Sequence, residues 1–250
     1  MKCSRKKDGY QLLKKLLAKI ILRKAFAPLL VRPVLMLHNL TYLLAGRLGG
    51  LASENGLHPK HGIIRYKEWF CEHIRPDDIV LDIGSNTGEL PRLIARHATQ
   101  VFGIEINPEL HQAAIRHANP ENLKFFLGDA TAFDLSRLKN ISKITLSNVL
   151  EHIEKRPQFL TKILNNIVWR GGPGSRVLLI RVPLFDRDWI TTYKYQSGVE
   201  WRLDRTHFTE YTLESLSEEL AQAGLEIAEY KIKYGEIYAV CMFKTQSTEG

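Results

Sequence analysis

Cysteine is scarce in this chain, and its placement excludes two classes of protein at once. Cys3, Cys71 and Cys241 are scattered and show no CxxC spacing, so neither a disulfide framework nor a cysteine-based zinc site is written into the sequence. A reducing, cytoplasmic setting is expected. A long apolar run is also lacking. The longest uncharged apolar stretch near the start, PVLMLHNLTYLLA (33–45), has 13 residues and contains His38 and Asn39; spanning a bilayer takes roughly 20. No charged segment, apolar core and small-residue cleavage site follow one another as in a secretory signal. The early region is basic and acid-poor as in a mitochondrial presequence, but it relies on Lys and has few Ser.

Acidic residues are nearly absent from positions 1–33, where ten Lys and Arg face Asp8 alone. That segment carries +9 and the remainder −1 of the overall +8. A body so near neutrality has no global field to attract a polyanion, which disfavours nucleic acid as a partner. Within the basic segment, Leu12, Leu13, Leu16, Leu17, Ile20 and Ile21 recur at helical spacing while Lys14, Lys15, Lys19 and Arg23 fall largely on the other side. Two readings are open for this amphipathic helix. It packs on its own domain, or it lies on an anionic membrane surface with its lysines near the headgroups. Pro28 and Pro33 are expected to interrupt it. The division that follows is a helical extension over 1–45, a Gly-rich linker over 46–61 and a main domain over 62–245.

Apolar strands and helices alternate along that domain. IIRYKEWFCEHI (63–74) reads as a helix, DIVLDIG as a strand and TGELPRLIARHA as a helix. VFGIEI reads as a strand, followed by a helix that Asn107 caps with Pro108 just inside it. Further strands and helices lead to EIAEYKIKY and EIYAVCMFK, which meet at Gly235 as a hairpin. This alternation implies an α/β fold with a mostly parallel sheet covered on both faces.

Ligands of such sheets bind beyond the carboxyl ends of the strands, where VLDIGSNTGEL (80–90) bends. Gly84 and Gly88 allow a tight turn and close approach of a ligand. A dinucleotide loop starting at Gly84 would need glycine at 86 and 89, where the chain has Asn86 and Glu89. The GK[ST] of a P-loop is missing as well.

With Asp82, Gly84, Ser85, Asn86 and Gly88, the stretch resembles motif I of the class I S-adenosylmethionine-dependent methyltransferases. In that family it cradles the amino-acid end of the cofactor. Asn86 replaces the family's middle glycine, and asparagine is the non-glycine residue best suited to left-handed backbone. Three more segments follow in the family's order. Glu105, with Ile106 after it, ends the second strand, where a carboxylate accepts from both ribose hydroxyls. LGDA resembles the segment that meets the adenine in the family, which implies that role for Asp129 and Ala130. LSNVLEHI (146–153), with Asn148, resembles motif IV of a small-molecule branch reading N-V-L-E-H. The resemblance spans about residues 58–243. It implies a Rossmann-like seven-stranded sheet with the last strand antiparallel and inserted beside the fifth, and S-adenosylmethionine as cofactor.

The acceptor is less legible. Nucleic-acid amino-methylating members carry Asn/Asp-Pro-Pro-aromatic after strand four, and Asn148-Val149-Leu150-Glu151 departs from it. A hydroxyl acceptor needs a base. His152 and His207 are the candidates, with Asp204, three residues earlier, expected to orient His207. Each also has a structural reading: His152 shapes or packs the pocket, and Asp204 and His207 stitch down a loop. They border or lie on an insertion over about 183–210 that holds Trp189, Tyr193, Tyr195 and Trp201, and a loop of this length is expected to carry function. HPKH (58–61) offers two histidines but no third metal ligand. The expectation is O-methylation of a small-molecule, saccharide or lipid-linked hydroxyl, by a cytoplasmic protein peripheral to the inner face of a membrane. RNA or protein methylation, or a non-catalytic cofactor-binding module at a membrane, are the alternatives.

Overall fold

The computed structural model describes residues 14–15, 26–53, 59–172 and 175–244. Of the basic amphipathic helix only Lys14 and Lys15 fall within that set, both helical and exposed; the rest of it lies outside the described residues. The chain divides into two compact units, residues 1–59 with 192–201 and residues 60–191 with 202–250.

In the first unit, helix α1 (Ala27–Ala52) runs for 26 residues. Pro28 occupies its first turn, where a missing N–H costs nothing. Pro33 sits inside the helix without ending it, contrary to the expected interruption. Residues 46–52, expected as linker, form the last turns instead, and the helix closes where Ser53 bonds to the Gly50 carbonyl through its amide (3.2 Å) and hydroxyl (2.9 Å). Among the described residues α1 is the one helix long and apolar enough to cross a membrane. By length and composition it passes where the 13-residue run falls short, because Arg32, His38 and Asn39 sit within a continuous helix. These residues bond to the 192–201 segment of the same unit: Arg32 to the Gly198 carbonyl (3.1 Å), Asn39 to the Glu200 carbonyl (2.7 Å) and His38 Nδ1 to Lys194 (3.0 Å). Leu35 is buried beside them in sequence, while Leu29 is 70% exposed and Val34, Met36, Leu37, Leu40, Leu43 and Leu48 are exposed as well. The usual helix polarity is inverted, with polar groups bonded to protein and apolar groups facing outward.

The second unit opens with α2 (Pro59–Ile64) and α3 (Tyr66–Glu72), separated by Arg65 in left-handed backbone at φ 52°. The single helix expected over 63–74 is thus two. The chain continues through β1 (Ile79–Ile83), α4 (Glu89–Ile94), β2 (Gln100–Glu105), α5 (Pro108–Arg116), β3 (Leu123–Leu127), β4 (Lys139–Ile141) and β5 (Lys143–Ser147). It goes on through α6 (Arg156–Asn166), β6 (Val168–Trp169), β7 (Val177–Pro183), α7 (Trp189–Gln196), α8 (Leu213–Gln222), β8 (Leu225–Lys233) and β9 (Glu236–Phe243). Asn107 caps α5 as expected, accepting from the amides of Glu109 (2.8 Å) and Leu110 (3.3 Å). Thr212 and Ser215 close a reciprocal box at the start of α8.

The main sheet has seven strands in the order β3-β2-β1-β5-β7-β9-β8; β4 and β6 pair separately. The β3-β2-β1-β5-β7 ladder is parallel, and β9 runs antiparallel between β7 and β8. This is the expected topology, hairpin at Gly235 included. Side chains alternate across the sheet: Val80 joins Phe70, Ile94 and Val101 on one face, while Leu81 and Ile83 join Ile144, Leu146, Leu160 and Ile180 on the other. The connections from β1 and β5 diverge, so a crevice is expected at the carboxyl ends of these strands.

Near that edge Glu236 is fully buried and held by Arg181 through two bonds, Nε–Oε2 at 2.7 Å and Nη2–Oε1 at 2.9 Å. Lys60 of α2 adds an ion pair at 2.6 Å, and Tyr238 donates its hydroxyl at 3.0 Å. The Arg181 guanidinium lies 3.9 Å from the Tyr66 ring centroid. Burial alone would raise the Glu236 carboxyl; the hydrogen bonds and charge of Arg181, with Lys60, outweigh it and bring the pKa down to about 2. A depressed carboxyl stabilises the fold above its unfolded pKa and loses that contribution as the pH falls through its folded value. Glu236→Gln is expected to cost about 3–5 kcal/mol in urea unfolding at neutral pH, with the gap to wild type shrinking as the pH drops from about 4.5 toward 2. A gap that stays constant over that range would contradict the ion-pair origin.

Candidate active site

The bend after β1 is held from the neighbouring strand. The amides of Gly84 and Ser85 both donate to the Ile104 carbonyl, at 2.9 and 3.0 Å. Glu105, buried at the end of β2, accepts from the Asn86 amide through Oε2 (2.7 Å) and from the Asn107 amide through Oε1 (2.8 Å). Asn86 takes φ 51°, between Gly84 at 77° and Gly88 at 80°. The asparagine thus adopts the left-handed conformation for which it was singled out. The glycines do more than turn the chain. A Cβ on Gly84 would meet Val149 at 2.7 Å, and one on Gly88 would meet the Phe125 ring at 2.6 Å. Side-chain packing, as well as the turn, therefore requires the missing Cβ at these two positions.

The other expected cofactor positions follow along the same edge. Asp82 is buried in β1 and accepts from the Thr145 hydroxyl on β5. Ser85 is 3% exposed, and its hydroxyl has no hydrogen-bond partner. Ile106 is 63% exposed. Asp129 is exposed and accepts from the Thr131 amide (2.8 Å), while Ala130 packs against the core. Asn148 has φ 56° and donates its amide to the Arg181 carbonyl (2.8 Å). Each Glu105 oxygen holds one amide and retains a second lone pair, the equipment for a ribose diol. Together with the orphaned Ser85 hydroxyl, this donor and acceptor set fits an adenosyl amino acid.

On the acceptor side the expected Asp204–His207 pair does not form between side chains. Asp204 instead accepts from the amide and the hydroxyl of Thr206, both at 2.8 Å, and these bonds lower its pKa. The orienting partner of His207 is Glu210, with Nδ1–Oε1 at 3.0 Å. Glu210 also binds Arg187 and the Leu203 amide. His152 Nδ1 stands 3.0 Å from the Thr206 hydroxyl, and the two imidazoles meet edge to face with centroids 4.7 Å apart. The Phe208 amide donates to the Glu151 carbonyl at 2.7 Å, which ties the His207 loop to the end of β5. Sequence reasoning missed two residues here. One is Glu210, as near to His207 in sequence as Asp204. The other is Glu151, whose carboxyl is fully buried with neither oxygen hydrogen-bonded. Burial raises the Glu151 pKa to about 8 and, with the neighbouring His207, lowers that of His152. Of the insertion's aromatics, Tyr193, Tyr195 and Trp201 belong to the unit of α1, and Trp189 is exposed.

A family model described as "Methyltransferase domain" matches residues 46–230. The chain belongs to that family. By that match and by its sheet order it is a member of the class I, S-adenosylmethionine-dependent methyltransferase superfamily. Over 98 residues it is 30% identical to an uncharacterized protein of Methanocaldococcus jannaschii, covering 38% of this chain and 36% of that one. Over 85 residues it is 25% identical to ribosomal RNA small subunit methyltransferase A of Mesoplasma florum, covering 34% and 32%. These matches span about a third of the length of the curated relatives. Among solved structures, a chain in the complex of the Haloferax volcanii Trm112 methyltransferase activator with a methyltransferase has TM-score 0.57 and 16% identity, covering 75% of this chain and 93% of that one. Magnesium protoporphyrin IX methyltransferase of Synechocystis, solved with S-adenosylhomocysteine, has TM-score 0.54 and 14% identity, covering 74% and 83%.

Burial drives the methyltransferase's Asp82 pKa up to about 7 against the Thr145 hydrogen bond, with Glu105 raising it further. A raised carboxyl destabilises the folded state as the pH climbs from its unfolded toward its folded pKa. The stability difference between Asp82→Asn and wild type is therefore expected to shift in favour of the variant by about 2–3 kcal/mol between pH 5 and pH 8. Denaturant unfolding at the two pH values measures it, and equal differences would show that Asp82 ionises normally.

Proposed function

We propose that the chain transfers a methyl group from S-adenosylmethionine to a hydroxyl oxygen of a small-molecule, saccharide or lipid-linked acceptor. The cofactor supplies a methyl already activated on sulfonium sulfur. The protein's task is to hold the two partners in line, exclude water and deal with the hydroxyl proton. Asp82, Gly84, Ser85, Asn86, Gly88, Glu105, Ile106, Asp129, Ala130 and Asn148 are the residues assigned to the cofactor.

The observation that carries the hydroxyl reading is the pair of imidazoles beyond β5. The Glu210 carboxylate can only accept, so His207 Nδ1 bears a proton. The Thr206 hydroxyl gives its own proton to Asp204, so it accepts from His152 Nδ1. Both rings then keep a lone pair on Nε2, and the lowered pKa of His152 favours its neutral form. An amine or thiolate acceptor needs no such provision. His207→Ala is expected to reduce incorporation of labelled methyl into hydroxyl-bearing extract fractions by about 10²–10⁴-fold and to leave S-adenosylmethionine affinity by calorimetry intact. Undiminished transfer would remove His207 from the reaction.

An RNA acceptor is the second reading, favoured by the match to the ribosomal RNA enzyme. The near-neutral charge of residues 34–250 counts against it.

The outward apolar face of α1 supports placing the enzyme at a membrane, where a lipid-linked acceptor would be met. Nine net positive charges in the first 33 residues suit an anionic surface at the cytoplasmic side. Removing residues 1–53 is expected to abolish co-sedimentation with phosphatidylglycerol vesicles while preserving cofactor binding. Equal sedimentation of both forms would defeat the membrane assignment.

A further inference from the structure

We propose that Glu151, His152 and His207 form a binding site for a divalent first-row transition-metal ion at the carboxyl end of β5. One carboxylate oxygen and one nitrogen from each imidazole lie within 4.8 Å of one another, close enough for small side-chain rotations to bring them onto a common ion.

The strongest indication is Glu151. Its side chain is wholly buried, and neither oxygen meets a hydrogen-bond donor. Leaving a carboxyl in that condition is costly, and Glu236 and Glu210 add like charge that Arg181 offsets. A cation bound to its oxygens would remove both penalties.

The imidazoles point to the same conclusion. Both Nδ1 positions are engaged, His207 with Glu210 and His152 with Thr206, which leaves the two Nε2 lone pairs as ligand atoms. A metal-bound histidine characteristically donates its other N–H to a carboxylate or similar group, which fixes ring and tautomer. His207–Glu210 has that arrangement, and the Asp204–Thr206–His152 chain reproduces it one step removed. Glu210 is in turn held by Arg187 and the Leu203 amide. Two imidazoles and one carboxylate suit zinc, iron, cobalt or nickel better than magnesium or calcium, and they leave coordination positions open.

An open position beside the methyl donor has a chemical use. A cation there would bind an acceptor hydroxyl and ease loss of its proton to solvent, with the O–C bond forming as the S–C bond breaks. That use rests on the hydroxyl reading above, with the cation replacing a free His207 Nε2 as the means of deprotonation; the binding site itself does not.

The test is titration of tag-free, metal-stripped full-length protein with Co2+, followed by visible absorption and calorimetry, with Zn2+ as competitor. One Co2+ per chain is expected, displaced by Zn2+. Glu151→Gln and His207→Ala should each abolish uptake. Glu210→Gln, which leaves all three ligands in place, should weaken it by about 10–100-fold. His97→Ala, at an exposed histidine after α4, should change nothing. Calorimetry with S-adenosylmethionine on the same samples checks folding and separates failure of the methyltransferase reading from failure of the metal site. Should Glu151→Gln or His207→Ala misfold, the Glu210→Gln result decides. No stoichiometric uptake by wild type, or uptake unaltered in these variants, overturns the proposal and leaves His207 as a metal-free base.

Discussion

A single carboxylate governs the geometry of the cofactor edge. Glu105 accepts one amide from the loop after β1 and one from the loop after β2, so two connections that diverge from adjacent strands are fastened to the same group. The left-handed turn at Asn86 and the cap at Asn107 both begin at amides that Glu105 holds. Charge-assisted bonds of this kind are stronger than neutral ones, and here they act where the parallel ladder has ended. Beside them the bend is held by the Ile104 carbonyl, by the Gly88 amide on the Ser85 carbonyl and by Arg92 on the Thr87 carbonyl.

The part of this arrangement that was legible in the sequence is the part encoded locally. Asp82, Gly84, Asn86 and Glu105 stand at strand ends flanked by apolar runs, and the turn demands residue types that few positions tolerate. Asn107 and Pro108 announce a helix start in two letters. The strand order became legible only through the family resemblance, since alternation of strands and helices implies a parallel sheet without saying which strands are neighbours.

What remained hidden depends on tertiary contacts. Asp204 and Glu210 lie three residues either side of His207, and in an irregular loop no periodicity chooses between them; the Thr206 bonds claim Asp204 and leave Glu210 to the imidazole. Glu151 was visible as part of LSNVLEHI, but its isolation depends on the return of the 207–208 segment. The helix through 46–52 was misread because Gly46, Gly49 and Gly50 lower helix propensity by about 1 kcal/mol each, a cost that a long continuous helix carries in its last turns. The aromatic insertion was legible as functional chain, yet its division between two compact units was not.

The place of β9 bears on how the chain is made. It follows both β7 and β8 in the chain, yet it lies between them and joins them. Until it emerges, the edge of β7 has no partner and β8 has nothing to pair with. From the completion of β7 until β9 emerges, the nascent chain therefore carries an open, apolar strand edge, and the sheet closes in one late event. Premature stops or a frayed tail would fail there, however sound the five strands already laid down.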